Sequence, residues 1–175
     1  IREWAKPNCV PLGLGYVASV LRTAGHSLDV LDINAYRYPK ERVRSILEKK
    51  TPPDFILTGG IITTYTYLKW LTTQLRDIFD GTPIMIGGSV STSIPEIALS
   101  TLNVDIACIG EGEITAVEVA DHIEQNKDLA SIKGIAYRKN GKIFKNELRA
   151  PIKDLDRIPL PAYDLFPMEI YVDNP

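Results

Sequence analysis

Phe55-Ile56-Leu57-Thr58-Gly59-Gly60 and Ile84-Met85-Ile86-Gly87-Gly88-Ser89 are the two stretches that decide how this chain folds. Each is a short apolar run that stops at a glycine pair beside a small hydroxyl residue. Thr58 and Gly87 lie 29 residues apart, the length of one strand–helix–strand step. Between them, residues 66–79 carry Leu68, Leu71, Leu75, Ile78 and Phe79 at helical spacing. A third run, Ile106-Ala107-Cys108-Ile109, ends in Gly110-Glu111-Gly112-Glu113. Strands alternating with helices imply right-handed crossovers and a parallel sheet. All three loops then fall on the carboxyl edge, where open α/β sheets bind ligands. Backbone without side chains lets a large, flat or phosphate-bearing ligand come close there.

Working outward, residues 12–24 and 39–50 have helical spacing, and 27–33 reads as a strand through Leu28, Val30, Leu31 and Ile33. A short helix is expected over 94–102, with Pro95 tolerated in its first turn. Residues 105–109 read as a strand and 113–125 as a helix. Asn140-Gly141 between 134–138 and 142–145 is a strong hairpin signal. Pro151, Pro159, Pro161, Pro167 and Pro175 make the last stretch an extended arm or linker. No apolar strand precedes the helix at Leu12. Either residues 1–10 supply a poor strand, or the chain is cut after a first strand; a sheet of this kind begins with a central strand, which favours the cut.

The totals exclude several classes. A formal charge of −2, from 20 basic and 22 acidic residues, and no basic block leave no footprint for nucleic acid. No apolar run reaches the roughly 18 residues of a membrane span, and no signal peptide opens the chain. The cytoplasm is the default expectation. Cys9 and Cys108 form no C-x-x-C pair, so neither a metal site nor a disulfide framework is indicated. Cys108 reads as a small buried hydrophobe.

Reactive constellations are equally scarce. Gly13-Leu14-Gly15 lacks the third glycine and the preceding strand of a dinucleotide fingerprint, and reads as well as a helix-start turn. His26 and His122 sit in or beside helical stretches, with no nucleophile to serve. Glu111 and Glu113 flank a loop at the binding edge, but they also suit the positive end of a helix dipole. A phosphate-receiving signalling domain needs an acidic cluster at the strand ends, and the loops after Leu57 and Ile86 offer none. What remains is Thr63, Thr64, Ser89, Ser91, Thr92 and Ser93 beside open backbone: a binding surface, suited to an organic cofactor with amide or phosphate edges.

Four segments carry a resemblance: Pro11-Leu12-Gly13-Leu14-Gly15-Tyr16, Gly60-Ile61-Ile62-Thr63-Thr64-Tyr65, Ile86-Gly87-Gly88-Ser89 and Ile109-Gly110-Glu111-Gly112-Glu113. Their order and spacing resemble the N-terminal cobalamin-binding domain of radical S-adenosylmethionine enzymes. Residues 154–164 resemble the linker from that domain into the radical barrel. The resemblance implies an α/β, flavodoxin-like (Rossmann-like) open parallel sheet with flanking helices, a C-terminal β-hairpin and a Pro-rich arm. The division would be a cobalamin domain over 1–130, a hairpin over 131–148 and a linker over 149–175 towards a radical barrel that these residues do not contain.

It further implies cobalamin as cofactor, held by Gly13, Leu14, Thr58, Gly59, Gly60, Ile61, Thr63, Thr64, Tyr65, Gly87, Gly88, Ser89, Val90, Gly110, Glu111, Gly112 and Glu113. The nucleotide tail would run between the Thr58 and Gly87 loops, with the Gly110 loop beside the corrin. Gly13 stands near the register where methionine-synthase-type domains place a cobalt-ligating histidine, so cobalt is expected to bind without one, with Leu14 or a neighbour beneath it. The iron–sulfur cluster and S-adenosylmethionine belong to the barrel, whose C-x-x-x-C-x-x-C is not in these residues. On this reading the chain is not itself catalytic, and the parent protein is a methyltransferase or cyclase. Two alternatives stay open: the same fold without cobalamin, serving as a structural or interaction module, and a flavodoxin-like nucleotide-binding domain.

Overall fold

The computed structural model describes residues 9–172. The chain forms two compact units, Lys50–Leu155 and a second made of Ile1–Lys49 with Asp156–Pro175.

The first unit is built on a five-stranded sheet in the order β1 (Ile56–Gly59), β2 (Ile84–Gly87), β3 (Ile106–Cys108), β4 (Ile135–Lys139) and β5 (Lys142–Lys145). β1–β2 and β2–β3 are parallel, with Gly59 level with Gly87 and Ile86 level with Ala107. β3–β4 and β4–β5 are antiparallel. The hairpin therefore completes the sheet as its far edge, and the sheet is mixed. Asn140 and Gly141 both have positive φ, 50° and 74°, as a two-residue hairpin turn of matching twist requires.

Every residue of β2 from Ile84 to Ile86 and of β3 is buried, which explains their unbroken apolar runs. The helices α4 (Tyr65–Ile78), α6 (Pro95–Thr101) and α7 (Glu113–Glu124) follow β1, β2 and β3, with the short α5 (Ser89–Ser93) ahead of α6. Leu68, Leu71, Leu75, Ala98, Leu99, Ala116 and Val119 are their buried faces. At the opposite edge from the glycine loops, Asp105 ties two strand starts together. Its Oδ2 accepts from the Ile84 N–H at 2.8 Å and from Arg76 Nη2 at 2.5 Å.

The second unit contains α1 (Leu12–Thr23), α2 (Ile33–Tyr36), α3 (Lys40–Leu47) and α8 (Met168–Val172). The expected strand over 27–33 is not there. Burial does alternate, with Leu28 and Val30 half-buried and Ser27 and Asp29 exposed, which is what the pattern registered. Ladder bonds need a neighbour, however, and the extended stretch ends where Asp32 caps α2, its Oδ1 accepting from the Ala35 N–H at 2.9 Å. The Pro-rich arm is not simply extended. It has a 3₁₀ turn at Tyr163–Leu165 and packs on α1, with the Ala162 N–H donating to the Gly15 carbonyl at 3.0 Å. A Cβ at Gly15 would lie 3.1 Å from Pro161 Cβ, so this glycine serves the close crossing of arm and helix.

The arm is also locked by a buried pair 139 residues apart: Tyr171 Oη donates to Asp32 Oδ2 at 2.7 Å. Burial and this carboxylate push the Tyr171 phenol up to about 12. Tyr171→Phe leaves one buried acceptor unsatisfied and is expected to cost about 1–3 kcal/mol in urea unfolding. A phenol raised in the fold stabilises fully below its unfolded value of about 10, and that gain is lost as pH rises towards about 12. The stability gap between wild type and Tyr171→Phe should therefore narrow across that range, and a gap independent of pH would show that the phenol is not raised in the fold.

Candidate functional site

The carboxyl ends of β1, β2 and β3 deliver three loops side by side, the arrangement that their parallel pairing predicts. The first two touch at their glycines. The Gly60 N–H points to the Gly87 carbonyl and the Val90 N–H to the Gly60 carbonyl, each at 3.4 Å. Gly88 has φ 84° and ψ −165°, a conformation open essentially to glycine alone. A Cβ there would sit 2.7 Å from the Gly60 carbonyl oxygen, and a Cβ on Gly59 would sit 3.1 Å from that of Gly87. Gly60 is closed off by Thr64 Oγ1 at 2.6 Å and Leu68 at 3.0 Å. These glycines let loop lie on loop. Gly110 differs: its φ is 84°, but nothing lies within 4 Å of where a Cβ would be.

Hydroxyl groups divide into two sets. Thr64 Oγ1 donates to the Ile61 carbonyl at 2.8 Å, Tyr65 bonds Thr101, and buried Ser91 donates to the Gly88 carbonyl at 3.0 Å. The first and third fix local backbone, and the second joins the start of α4 to the end of α6. Thr63 and Ser89 are exposed at the edge. Thr92, also exposed, joins the second loop to the third, because its Oγ1 accepts from the Gly110 N–H at 3.1 Å. Thr58 and Gly112 are half-buried, and Val90 is fully buried beneath the loops.

Around these polar groups stand bare apolar side chains: Ile61 is 57% exposed, Ile62 53% and Ile114 44%. Ile62 and Ile114 are not among the expected site residues; their exposure follows from their places at the start of a 3₁₀ turn and in the first turn of α7. Glu111 is exposed and its Oε2 accepts from the Ile152 N–H at 2.6 Å. Glu113 opens α7, and its Oε2 is buried without a hydrogen-bond partner. Gly13 and Leu14 belong to the first turn of α1 in the other unit, where Gly13 has open space around it and Leu14 is exposed.

No reactive centre emerges from the electrostatics. The buried Cys108 thiol is pushed up to about 11, first by burial and then by the Glu113 carboxylate, so it stays protonated at neutral pH. His122 Nδ1 is 2.8 Å from the Asp128 carbonyl. It stands nine residues beyond Glu113, roughly 13 Å along α7 from the loop edge. Among the described residues no group of three His, Cys, Asp or Glu side chains could hold a metal ion. No helix among them is long and apolar enough to cross a membrane.

Gly88 and Gly110 separate geometry from space. Gly88→Ala meets both a forbidden conformation and the Gly60 carbonyl, and is expected to destabilise the chain by at least about 2 kcal/mol. Gly110→Ala meets only the conformational penalty, about 1–2 kcal/mol. Equal midpoint shifts in denaturant titrations of the two variants would show that the loop–loop packing carries no weight.

Residues 3–120 match the family described as B12 binding domain. An uncharacterized methyltransferase, PH0819, of Pyrococcus horikoshii is 32% identical over 166 residues, covering 92% of this chain and 35% of that protein. Cytidylyl-2-hydroxyethylphosphonate methyltransferase of Streptomyces wedmorensis is 28% identical, over 95% of this chain and 39% of its own length. The chain thus spans little more than a third of these relatives. Among solved structures, TsrM from Kitasatospora setae is a radical S-adenosylmethionine methyltransferase, seen with cobalamin and an iron–sulfur cluster. It superposes with a TM-score of 0.72 at 17% identity, over 91% of this chain and 29% of its own. OxsB, a cobalamin-dependent S-adenosylmethionine radical enzyme, gives a TM-score of 0.72 at 18% identity, over 94% and 23%. The family match takes in all three strands and all three loops of the carboxyl edge, and the chain belongs to the B12-binding domain family.

Proposed function

We propose that the edge formed by the three loops holds cobalamin for a radical S-adenosylmethionine enzyme that transfers a methyl group or closes a ring. The observation that carries this reading is the family match over residues 3–120, which includes every loop of the edge. The chemistry of the edge fits the group. Ile61, Ile62 and Ile114 offer apolar surface suited to a macrocycle. Thr63 and Ser89 offer hydroxyls for its amide and phosphate edges. The first two loops touch at Gly60 and Gly88, and the hydroxyls of Thr63 and Ser89, exposed beside this contact, would meet the polar edge of a nucleotide tail.

When bound, the corrinoid supplies the methyl-carrying or electron-transfer chemistry. This chain's residues contribute binding, orientation and shielding of one side from water. The buried, protonated Cys108 and the place of His122, nine residues beyond Glu113 along α7, support cobalt held without a ligand from either side chain. Gly13 and Leu14 lie in α1 of the other unit, and the proposed edge is built from the three loops without them. Substrate choice, the iron–sulfur cluster and S-adenosylmethionine cleavage are assigned to parts of the parent protein outside these residues. A parent that methylates is favoured by the names of two relatives, and a cyclase by a third, the anaerobic magnesium-protoporphyrin IX monomethyl ester cyclase of Synechocystis, 28% identical over 86% of this chain.

Mixing the purified chain with hydroxocobalamin and separating it by gel filtration should give a corrinoid absorbance that travels with the protein. His26→Ala and His122→Ala should leave the affinity and the spectrum of the bound corrinoid unchanged. Ser89→Ala should weaken binding by about threefold to tenfold, the worth of one neutral hydrogen bond. Corrinoid that elutes apart from wild-type chain would return the edge to the non-binding alternative.

A further inference from the structure

Glu111 lies in the middle of the third loop, yet its side chain is already engaged. Its Oε2 accepts from the Ile152 N–H at 2.6 Å, from the stretch that follows the hairpin. Its own carbonyl is near Thr115 Oγ1 at 3.4 Å and Cys108 Sγ at 3.9 Å. The stretch reaching Ile152 is fastened three residues earlier. Arg149 Nε donates to Thr115 Oγ1 at 2.9 Å, and Arg149 Nη2 donates to the Lys133 carbonyl at 3.2 Å and pairs with Glu118. A Cβ on Gly134 would lie 3.1 Å from Arg149 Cβ, so the stretch lies close on the chain that enters β4. On its other flank the loop is held by the Gly110 N–H on Thr92. The third loop is therefore tied on two sides, to α5 through Thr92 and to the post-hairpin stretch through Glu111. A carboxylate on a backbone N–H is a charge-assisted bond, stronger than its neutral equivalents.

We infer that Glu111 is a positioning residue: it sets the shape of the Gly110–Gly112 loop through the Ile152 N–H, and does not itself touch the cofactor. This rests on the corrinoid reading of the edge. Removing either end of the bond should then have the same consequence, because only the bond matters. Glu111→Ala removes the acceptor. Ile152→Pro removes the donor, since proline has no N–H. Glu111→Gln keeps a carbonyl oxygen that can accept the same bond.

The test has two readouts. Amide hydrogen exchange at Ile152, followed by NMR on the cofactor-free chain, should speed up at least tenfold in Glu111→Ala and return close to wild type in Glu111→Gln. Absorbance titration with hydroxocobalamin should show about tenfold weaker binding for Glu111→Ala and for Ile152→Pro, and little loss for Glu111→Gln. The double variant should bind no more weakly than either single one, as coupled residues do. Exchange at Ile152 that ignores Glu111→Ala overturns the inference. So does a loss of binding in Glu111→Ala that Ile152→Pro does not share, because the carboxylate would then act on the cofactor directly. Wild-type chain that binds no hydroxocobalamin is a different failure. It removes the corrinoid reading, and Glu111's role towards a corrinoid with it, while the exchange measurement still decides whether the tether exists.

Discussion

A methyl group on Gly88 would lie 2.7 Å from the carbonyl oxygen of Gly60, and the backbone at Gly88 sits where L-residues do not go. The rest of the edge depends on that contact. It sets how closely the first two loops lie, and the register Gly59–Gly87 brings both strands to it at the same level. α5 starts at once beyond Gly88, which places Ser89 at the surface, Val90 beneath and Thr92 within reach of the third loop. An alanine at Gly88 therefore perturbs two loops and the thread to the third.

The strand ends were legible for a plain reason. An apolar run stopped by glycine is a strong local signal, and β1, β2 and β3 with α4 and α7 fall within a residue or two of where the sequence places them. What the glycines do was less legible. Sequence registers that a side chain is missing, not what occupies its space, and at Gly59, Gly60 and Gly88 that space belongs to neighbouring backbone or side chain. Asn140-Gly141 announced a turn, but only pairing with β3 makes the hairpin the far edge of the sheet. α5 had no signal at all: Ser-Val-Ser-Thr-Ser is a poor helix former, and it is helical because the chain turns there between Gly88 and Pro95. The reading of 27–33 failed the other way, since apolar alternation is common to any half-buried extended stretch and does not reveal whether a ladder forms.

Site residues follow the same division. Thr63 and Ser89 are legible as exposed hydroxyls because they sit just past strand ends. Thr64, Tyr65 and Ser91 also carry hydroxyls beside the same loops, yet these are bonded to other groups of the chain. Residue type near a loop predicts polarity there, not which polar groups are left for a ligand. Partners such as Arg149 and Ile152 lie some 40 residues from the loop they hold, and nothing local marks them.

A binding edge of this kind has to be rigid without being reactive. Its one thiol is buried and held protonated, and among the titratable groups at the loops Glu111 is bonded to a backbone amide. Polar groups bonded in this way cost the fold little and cannot attack a bound cofactor. The exposed side chains at the loops include the hydroxyls of Thr63, Ser89 and Thr92 and the isoleucines Ile61, Ile62 and Ile114, on loops tied to one another through Gly60 and Thr92. Such a surface can hold a large cofactor without competing with it for protons or electrons, which leaves the chemistry to whatever faces the cofactor from the opposite side. On the proposed corrinoid reading, the shape of the loops would set specificity for the cofactor, and the residues that fix that shape from outside would matter to binding as well as those the cofactor touches.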